Sequence, residues 1–226
     1  MKYTALLCLF VAACVAETDP EWQLNHDRLV AVRAAKPHIA PGEATTFDAL
    51  VAHKGAPTDI EQALGVIVYG PQDLSDVASG VTVTAPSAAR LDAERATLGL
   101  DPGTPVPLDV LMEFPDSNGI HLAAKKTIYL GDSAANATTV GNVLVNGAPP
   151  DPAIVIPIDI DVPLSVDAAD DATVAWLTGC GTMHDDDEHS AFIHVQKGDP
   201  KDGELVVVVR DALGGVVWQV WPISAQ

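Results

Sequence analysis

Near the end of the chain two apolar runs rich in β-branched residues, Leu205 to Val209 and Val216 to Trp221, flank the polar, glycine-rich stretch Arg210-Asp-Ala-Leu-Gly-Gly215. Side chains branched at Cβ fit an extended, pleated backbone, so a glycine-rich break between two such runs predicts a hairpin. In the second run Val217, Gln219 and Trp221 alternate with Val216, Trp218 and Val220. Neither set is uniformly polar, which predicts a strand covered on one face and partly covered on the other. Such a pair closes a β-sandwich, provided the rest of the chain supplies the remaining strands.

It does so twice. The run Leu29-Val-Ala-Val-Arg33 is followed by the turn Pro41-Gly-Glu43 and then by Ala44 to Ala52, where Thr46, Asp48, Leu50 and Ala52 oppose Thr45, Phe47, Ala49 and Val51. Further strands are predicted at Gly65 to Tyr69 (closed by Gly70-Pro71), Val81 to Thr84, Val106 to Phe114 despite Pro107, and Leu122 to Leu130, with Asp116-Ser-Asn-Gly119 a loop. Pro86 to Ala96 differs in kind: it is alanine-rich, has no β-branched residue after Pro86, and predicts one short helix capped by Ser87. Residues 131–137 read as a linker. The pattern then restarts with a strand at Val140 to Val145, a turn at Asn146-Gly147, and the run Ile154 to Val166. In that run Ile156, Ile158, Ile160 and Val162 share one parity, and Pro157 and Pro163 imply an edge strand or a bulge between two strands. Ala172 to Leu177 is expected to be a central strand whose Trp176 fills the core, and Ala191 to Val195 precedes the hairpin. Two strand-rich units, each opened by strand, turn and long strand, predict an all-β chain of two sandwiches in tandem.

The N-terminus reads as a targeting segment. Lys2 precedes an apolar stretch, Ala5 to Val11, too short to span a bilayer, and Val11-Ala-Ala-Cys14 resembles the bacterial lipobox, cut just before the cysteine whose thiol accepts the lipid. This gives a signal peptide over 1–13, a lipidation site at Cys14, a lipidated tether over 14–28, and units over 29–131 and 138–226. The alternative is an ordinary secretory peptide cut after Ala16, and in both cases the mature chain leaves the cytoplasm. Fatty acyl chains such as palmitate, present in more than one copy, anchor firmly where a single chain would be marginal. Cys8 is lost with the peptide and Cys14 is acylated, so Cys180 remains without a disulfide partner. With 31 acidic against 12 basic residues and a net charge of −19, the surface repels nucleic acid.

The string Leu29 to Val51 resembles the opening of bacterial surface Ig-like domains, and Glu204 to Trp218 is similar to the last two strands of PKD-type or related Ig-like domains. Together with the lipobox, the chain resembles the uncharacterised two-domain lipoproteins common in myxobacteria. The Asn-Pro pair that those proteins show before the second domain is here replaced by Asn136-Ala-Thr-Thr139. The resemblance implies tandem Ig-like β-sandwiches, with the short helix in the first, on a cell-envelope lipoprotein of no established activity. The absence of aspartate at Val15 favours the outer membrane. The partners implied are the membrane, through the lipid anchor, and an unknown envelope protein or glycan.

One segment, Gly179 to His194, is dense in potential ligands. Cys180, His184, His189 and His194 offer sulfur and nitrogen to Zn²⁺, and Asp185 to Glu188 offer oxygens to Ca²⁺. Their spacings match no zinc pattern, and the acidic run lacks the alternation and central glycine of a calcium loop. His194 shares parity with Phe192, which places it on a sheet surface. The reading is therefore a solvated acidic loop joining two strands, with a metal-binding module centred on Cys180 to His194 as the alternative. Asp159, Asp161, Asp167, Asp170 and Asp171 form a second acidic stretch, suited to polar strand faces, to interdomain calcium, or to paired carboxylates in glycan cleavage. No Gly-x-Ser-x-Gly, His-Glu-x-x-His or phosphate-loop motif occurs in the sequence. The expectation is a non-enzymatic envelope lipoprotein, without cofactor or metal, that acts as a structural or surface-binding module.

Overall fold

The computed structural model describes residues 20–53, 56–60, 65–69, 76–78, 82–115, 121–136 and 138–226. The first half contains β1 (Arg28–Ala34), β2 (His38–Ile39), β3 (Ala44–His53), β4 (Ala56–Ile60), β5 (Gly65–Tyr69), β6 (Asp76–Ala78), β7 (Thr82–Thr84), α1 (Ala88–Leu98), β8 (Val106–Pro115) and β9 (His121–Leu130). One sheet runs β1-β3-β7-β6, with β4 also paired to β3, and the other runs β2-β9-β8-β5. The second half contains β10 (Val143–Val145), β11 (Ile154–Ile156), β12 (Val162–Val166), β13 (Thr173–Thr178), β14 (Thr182–His184), β15 (Ser190–His194), β16 (Asp202–Arg210) and β17 (Val216–Ala225). Its sheets run β10-β12-β15-β14 and β11-β17-β16-β13.

The two halves repeat one strand order, with β4 and α1 as additions to the first. In each, the opening segment is divided between the sheets, and its second piece pairs parallel with the last strand: β2 with β9, and β11 with β17. That split edge and the remaining antiparallel order are those of an Ig-like sandwich. The chain is accordingly all-β, two Ig-like sandwiches, with one helix in the first among the described residues.

Alternation along the strands fills each core. Phe47, Ala49 and Val51 face Val106, Leu108, Val110, Met112 and Phe114 in the first, and Val162, Leu164 and Ile193 face Trp176, Leu205, Val207 and Val209 in the second. The opposite parity is also buried. Leu50 and Ala52 on β3, Val30 near a register shift in β1, Val206 and Val208 on β16, and Val216 and Trp218 on β17 form a third apolar cluster between the halves. This is the second covered face that the hairpin's pattern requires. The result is four layers: β2-β9-β8-β5, β1-β3-β7-β6, β11-β17-β16-β13 and β10-β12-β15-β14, with apolar contact at all three seams.

The helix forms as its composition dictates. Ser87 Oγ accepts the Arg90 N–H at 3.4 Å, Gly99 closes the last turn at φ 69°, and Leu91 enters the first core.

Elsewhere the structure differs from the sequence expectations. The strand carrying Trp176 is an edge, not central: among the described strands β13 pairs only with β16, because the strand that follows it, β14, joins the opposite sheet. Trp176 still fills the core, fully buried, with Nε1 donating to Glu188 O at 3.1 Å. The run Ile154 to Val166 is two strands in different sheets. The chain crosses between them at Asp159, whose φ is 61°, and this turn leaves Ile160 exposed although it shares parity with buried Ile156. Only Val143 to Val145 of the run from Val140 is strand. The loop at Asp116 to Gly119 and the turn at Gly70-Pro71 lie outside the described residues.

The described part of the stretch read as a tether is docked. Leu24 N–H donates to Thr178 O and Thr178 N–H to Trp22 O, both at 2.9 Å, while Leu24 joins the middle cluster and Trp22 packs on the second core. The stretch read as a linker is likewise tied down: Asn136 N–H donates to Ala35 O at 3.3 Å and its Nδ2 to Val216 O at 2.9 Å, and just beyond the stretch the Thr138 hydroxyl donates to Asp211.

Candidate functional site

Cys14 lies outside the described residues. The Cys180 to His194 segment is described throughout, and its candidate ligands separate onto different faces. Met183 and Ile193 point into the second core, so their neighbours His184, Phe192 and His194 project from the outer face of β14 and β15. His184 stacks on Phe192 with ring centroids 4.5 Å apart, and His194 Nδ1 lies 2.6 Å from Asp161 Oδ1. His189 Nε2 lies 3.4 Å from Ala172 O at the end of the sandwich. Cys180 is on the inner side with no exposed surface, and its thiol is pushed up to about 11 by burial, aided by the charges of Asp202 and Asp199. Among the described residues no three His, Cys, Asp or Glu side chains converge as a metal-ligand set.

The acidic run has a structural use. Residues 185–188 lie along the free edge of β13, where the Trp176 N–H donates to Asp186 O at 2.7 Å and the indole to Glu188 O. Together with the Trp22 and Leu24 backbone this closes an edge that would otherwise expose unpaired amides. Because the loop's backbone points inward, its carboxylates point out. Asp185, Asp187 and Glu188 line an open cleft of about 550 Å³ with Asp170 and His189. Asp186 is raised above the usual carboxylate range by burial, with the negative charges of Asp187, Glu21 and Asp185 adding to it. The second acidic stretch is dispersed: Asp161 meets His194, Asp167 accepts from Asn142 at 3.0 Å, and Asp159 turns the chain.

What the sequence reading missed is the polar fringe of the middle seam. Trp218 Nε1 donates to Asp59 Oδ1 at 2.9 Å, and the Arg33 guanidinium, paired with Asp48, lies 4.2 Å over the same indole. His38, stacked on Tyr129, places Nε2 at 3.1 Å from Leu213 O in the turn between β16 and β17. Asp211 in that turn is subject to a burial penalty, but hydrogen bonds from Thr138, Gly215 and Leu213 and the charge of Lys126 outweigh it and hold the carboxyl below its ordinary range. The available signal was the missing polar alternation in β3, β16 and β17.

No family model matches the sequence, and no curated protein matches it. Among solved structures, the chain is similar to a chimeric titin Z1Z2-Z1Z2 tandem, with 13% identity, 88% of this chain and 99% of that one covered, and a TM-score of 0.30. It is also similar to murine CEACAM1b, with 13% identity, 87% and 100% coverage, and a TM-score of 0.30. The third is the N-terminal Ig1-2 module of the Drosophila receptor protein tyrosine phosphatase DLAR, with 11% identity, 89% and 99% coverage, and a TM-score of 0.29. The Ig-like assignment stands on the strand order of each half.

Proposed function

We propose that this chain is a non-enzymatic, lipid-anchored protein of the cell envelope whose double sandwich acts as a structural or surface-binding module. The observation that carries the reading is the stretch Val11-Ala-Ala-Cys14 directly after a short apolar segment, which supplies a thiol where a lipidating enzyme needs one. A body whose described strands, loop backbones and Cys180 thiol are engaged in packing supports a scaffold rather than a catalyst. The acidic surface disfavours nucleic acid and leaves an envelope protein or a glycan as the partner.

Anchorage at Cys14 would hold the body close to the bilayer. Pro20 lies six residues on, a span of at most ~20 Å for an extended chain. The outer membrane is the compartment proposed. The test is the Cys14→Ser variant in cells fed an alkyne-tagged palmitate. Wild type should carry the label and enter the detergent phase, while the variant should do neither. A variant that partitions into detergent as wild type does would refute the anchor.

A further inference from the structure

We propose that a crevice at the seam between the two sandwiches binds a compact oxyanion, a carboxylate or phosphate head on a short aliphatic body, held between Lys126 and Arg210. The crevice measures about 300 Å³ and is walled by Leu29, Val32 and Val216 together with Lys125, Lys126 and Arg210. Its basic residues come from both halves, Lys125 and Lys126 from β9 and Arg210 from the end of β16.

Both principal cations stand where the strand pattern reserves an apolar side chain. Lys126 has the parity of Ile128 and Leu130, which enter the first core, and Arg210 has the parity of Val206 and Val208, which enter the middle seam. Each crosses the seam to a single backbone oxygen: Lys126 Nζ donates to Gly214 O at 2.5 Å, and Arg210 Nη2 donates to Val30 O at 3.1 Å. An ammonium has three donors and a guanidinium five, so most of their donor capacity is left over.

The carboxylates nearby are committed elsewhere. Asp109 accepts from Lys125 at 3.1 Å and Thr127 at 2.7 Å, and Asp211 accepts from the N–H groups of Leu213 at 2.8 Å and Gly215 at 2.7 Å and from Thr138. Among the described residues neither Lys126 nor Arg210 makes an ion pair. Two half-buried like charges with no carboxylate in direct contact are costly, and the cost falls if an anion joins them. Lys126 reflects the strain, lowered to about 8 by burial and then by the charge of Arg210, with Asp211 opposing only in part. In a chain of net charge −19, this pairing runs against the composition. An oxyanion accepts from both side chains at once, and the leucine and valine wall takes an aliphatic body. Because the donors come from opposite sandwiches, the bound anion would also tie the halves together.

The test is calorimetric titration of the intact chain at low salt with three probes: inorganic phosphate, acetate and butyrate. The proposal expects saturable binding of one anion per chain, at least tenfold weaker in Lys126→Gln and in Arg210→Met and largely kept in Arg210→Lys. Butyrate binding above acetate and phosphate assigns a carboxylate with an aliphatic body, and phosphate binding above both assigns a phosphate head. Should Arg210→Met fail to fold, Lys126→Gln on the opposite wall carries the comparison. No saturable binding of any probe up to about 10 mM, or equal affinity in wild type and Lys126→Gln, overturns the proposal.

Discussion

Trp218 is the residue at which the joining of the two sandwiches is most directly tested. Its side chain is 9% exposed and lies in the cluster with Leu50, Ala52, Val206 and Val208, and it adds the indole bond to Asp59 and the stacked Arg33. Truncating a packed tryptophan to alanine costs about 3–5 kcal/mol. The lower end applies here, because removal strands no partner. Asp59 is exposed and returns to water, and Arg33 keeps its bidentate contact with Asp48. Trp218→Ala should therefore destabilise by about 3 kcal/mol, which at a urea m-value of about 2 kcal/mol/M is a midpoint lowered by about 1.5 M. Far-UV circular dichroism is the readout, since fluorescence would lose a reporter. Wild type should unfold in one transition, because the middle cluster couples the halves, and the variant should do so at the lower midpoint. Gln219→Ala, one residue on and exposed, should stay within about 0.5 kcal/mol of wild type. A loss under about 1 kcal/mol would show that the middle cluster does not hold the sandwiches together.

Two further outcomes follow from buried or crowded ionisable groups. At pH 8 the Cys180 thiol, raised to about 11, is ionised to roughly one part in a thousand, so disulfide-exchange reagents should label native protein at least ~100-fold more slowly than urea-unfolded protein; equal rates would refute its burial. Asp186 has a folded pKa above its unfolded one, so the folded chain holds that proton more tightly: the penalty is absent below the unfolded pKa and complete once pH has risen through the folded one. Asp186→Asn should thus raise stability at neutral pH, by well under ~1 kcal/mol for so solvated a group, and leave it unchanged in strong acid; a drop in melting temperature at pH 7 would contradict this.

Elements whose side chains answer to a long-range pattern were legible in the sequence. The alternation from Ala44 to Ala52 located β3, and the alanine-rich run with Ser87 yielded α1. Strands too short to display a period were not: β4, β6 and β14 escaped, and Thr182-Met-His184 was read as part of a loop. Sheet position was also hidden, because whether β13 is central or at an edge depends on which distant strand pairs with it. Two-sided burial in β16 announced a second partner without naming it, since complementary apolar faces carry no mutual signature. Lys126 falls in the middle of a strand expected from the sequence and Arg210 at the start of the expected turn, and no motif marks either. Only the fold shows that both reach across the seam, Lys126 to Gly214 O and Arg210 to Val30 O.

The four layers also set the middle pair of faces apart from the outer pair. The middle seam joins non-equivalent sheets, the one containing β1 and β3 from the first half and the one containing β16 and β17 from the second. Such a head-to-tail contact between repeated units continues indefinitely unless the outer faces refuse it. Here they refuse it. On the first half's outer sheet, Lys125 and Thr127 both donate to Asp109. On the second half's, Ser165, His184 and His194 face outward, the last against Asp161. An added sandwich would have to strip water from these groups at either end, whereas the centre of the middle seam is valine, leucine, alanine and tryptophan. The same strand order thus yields an apolar inner pair of faces and a polar outer pair, which confines hydrophobic contact to the three seams and leaves the polar outer sheets, the loop ends and the cationic crevice as the surfaces through which a partner can be met.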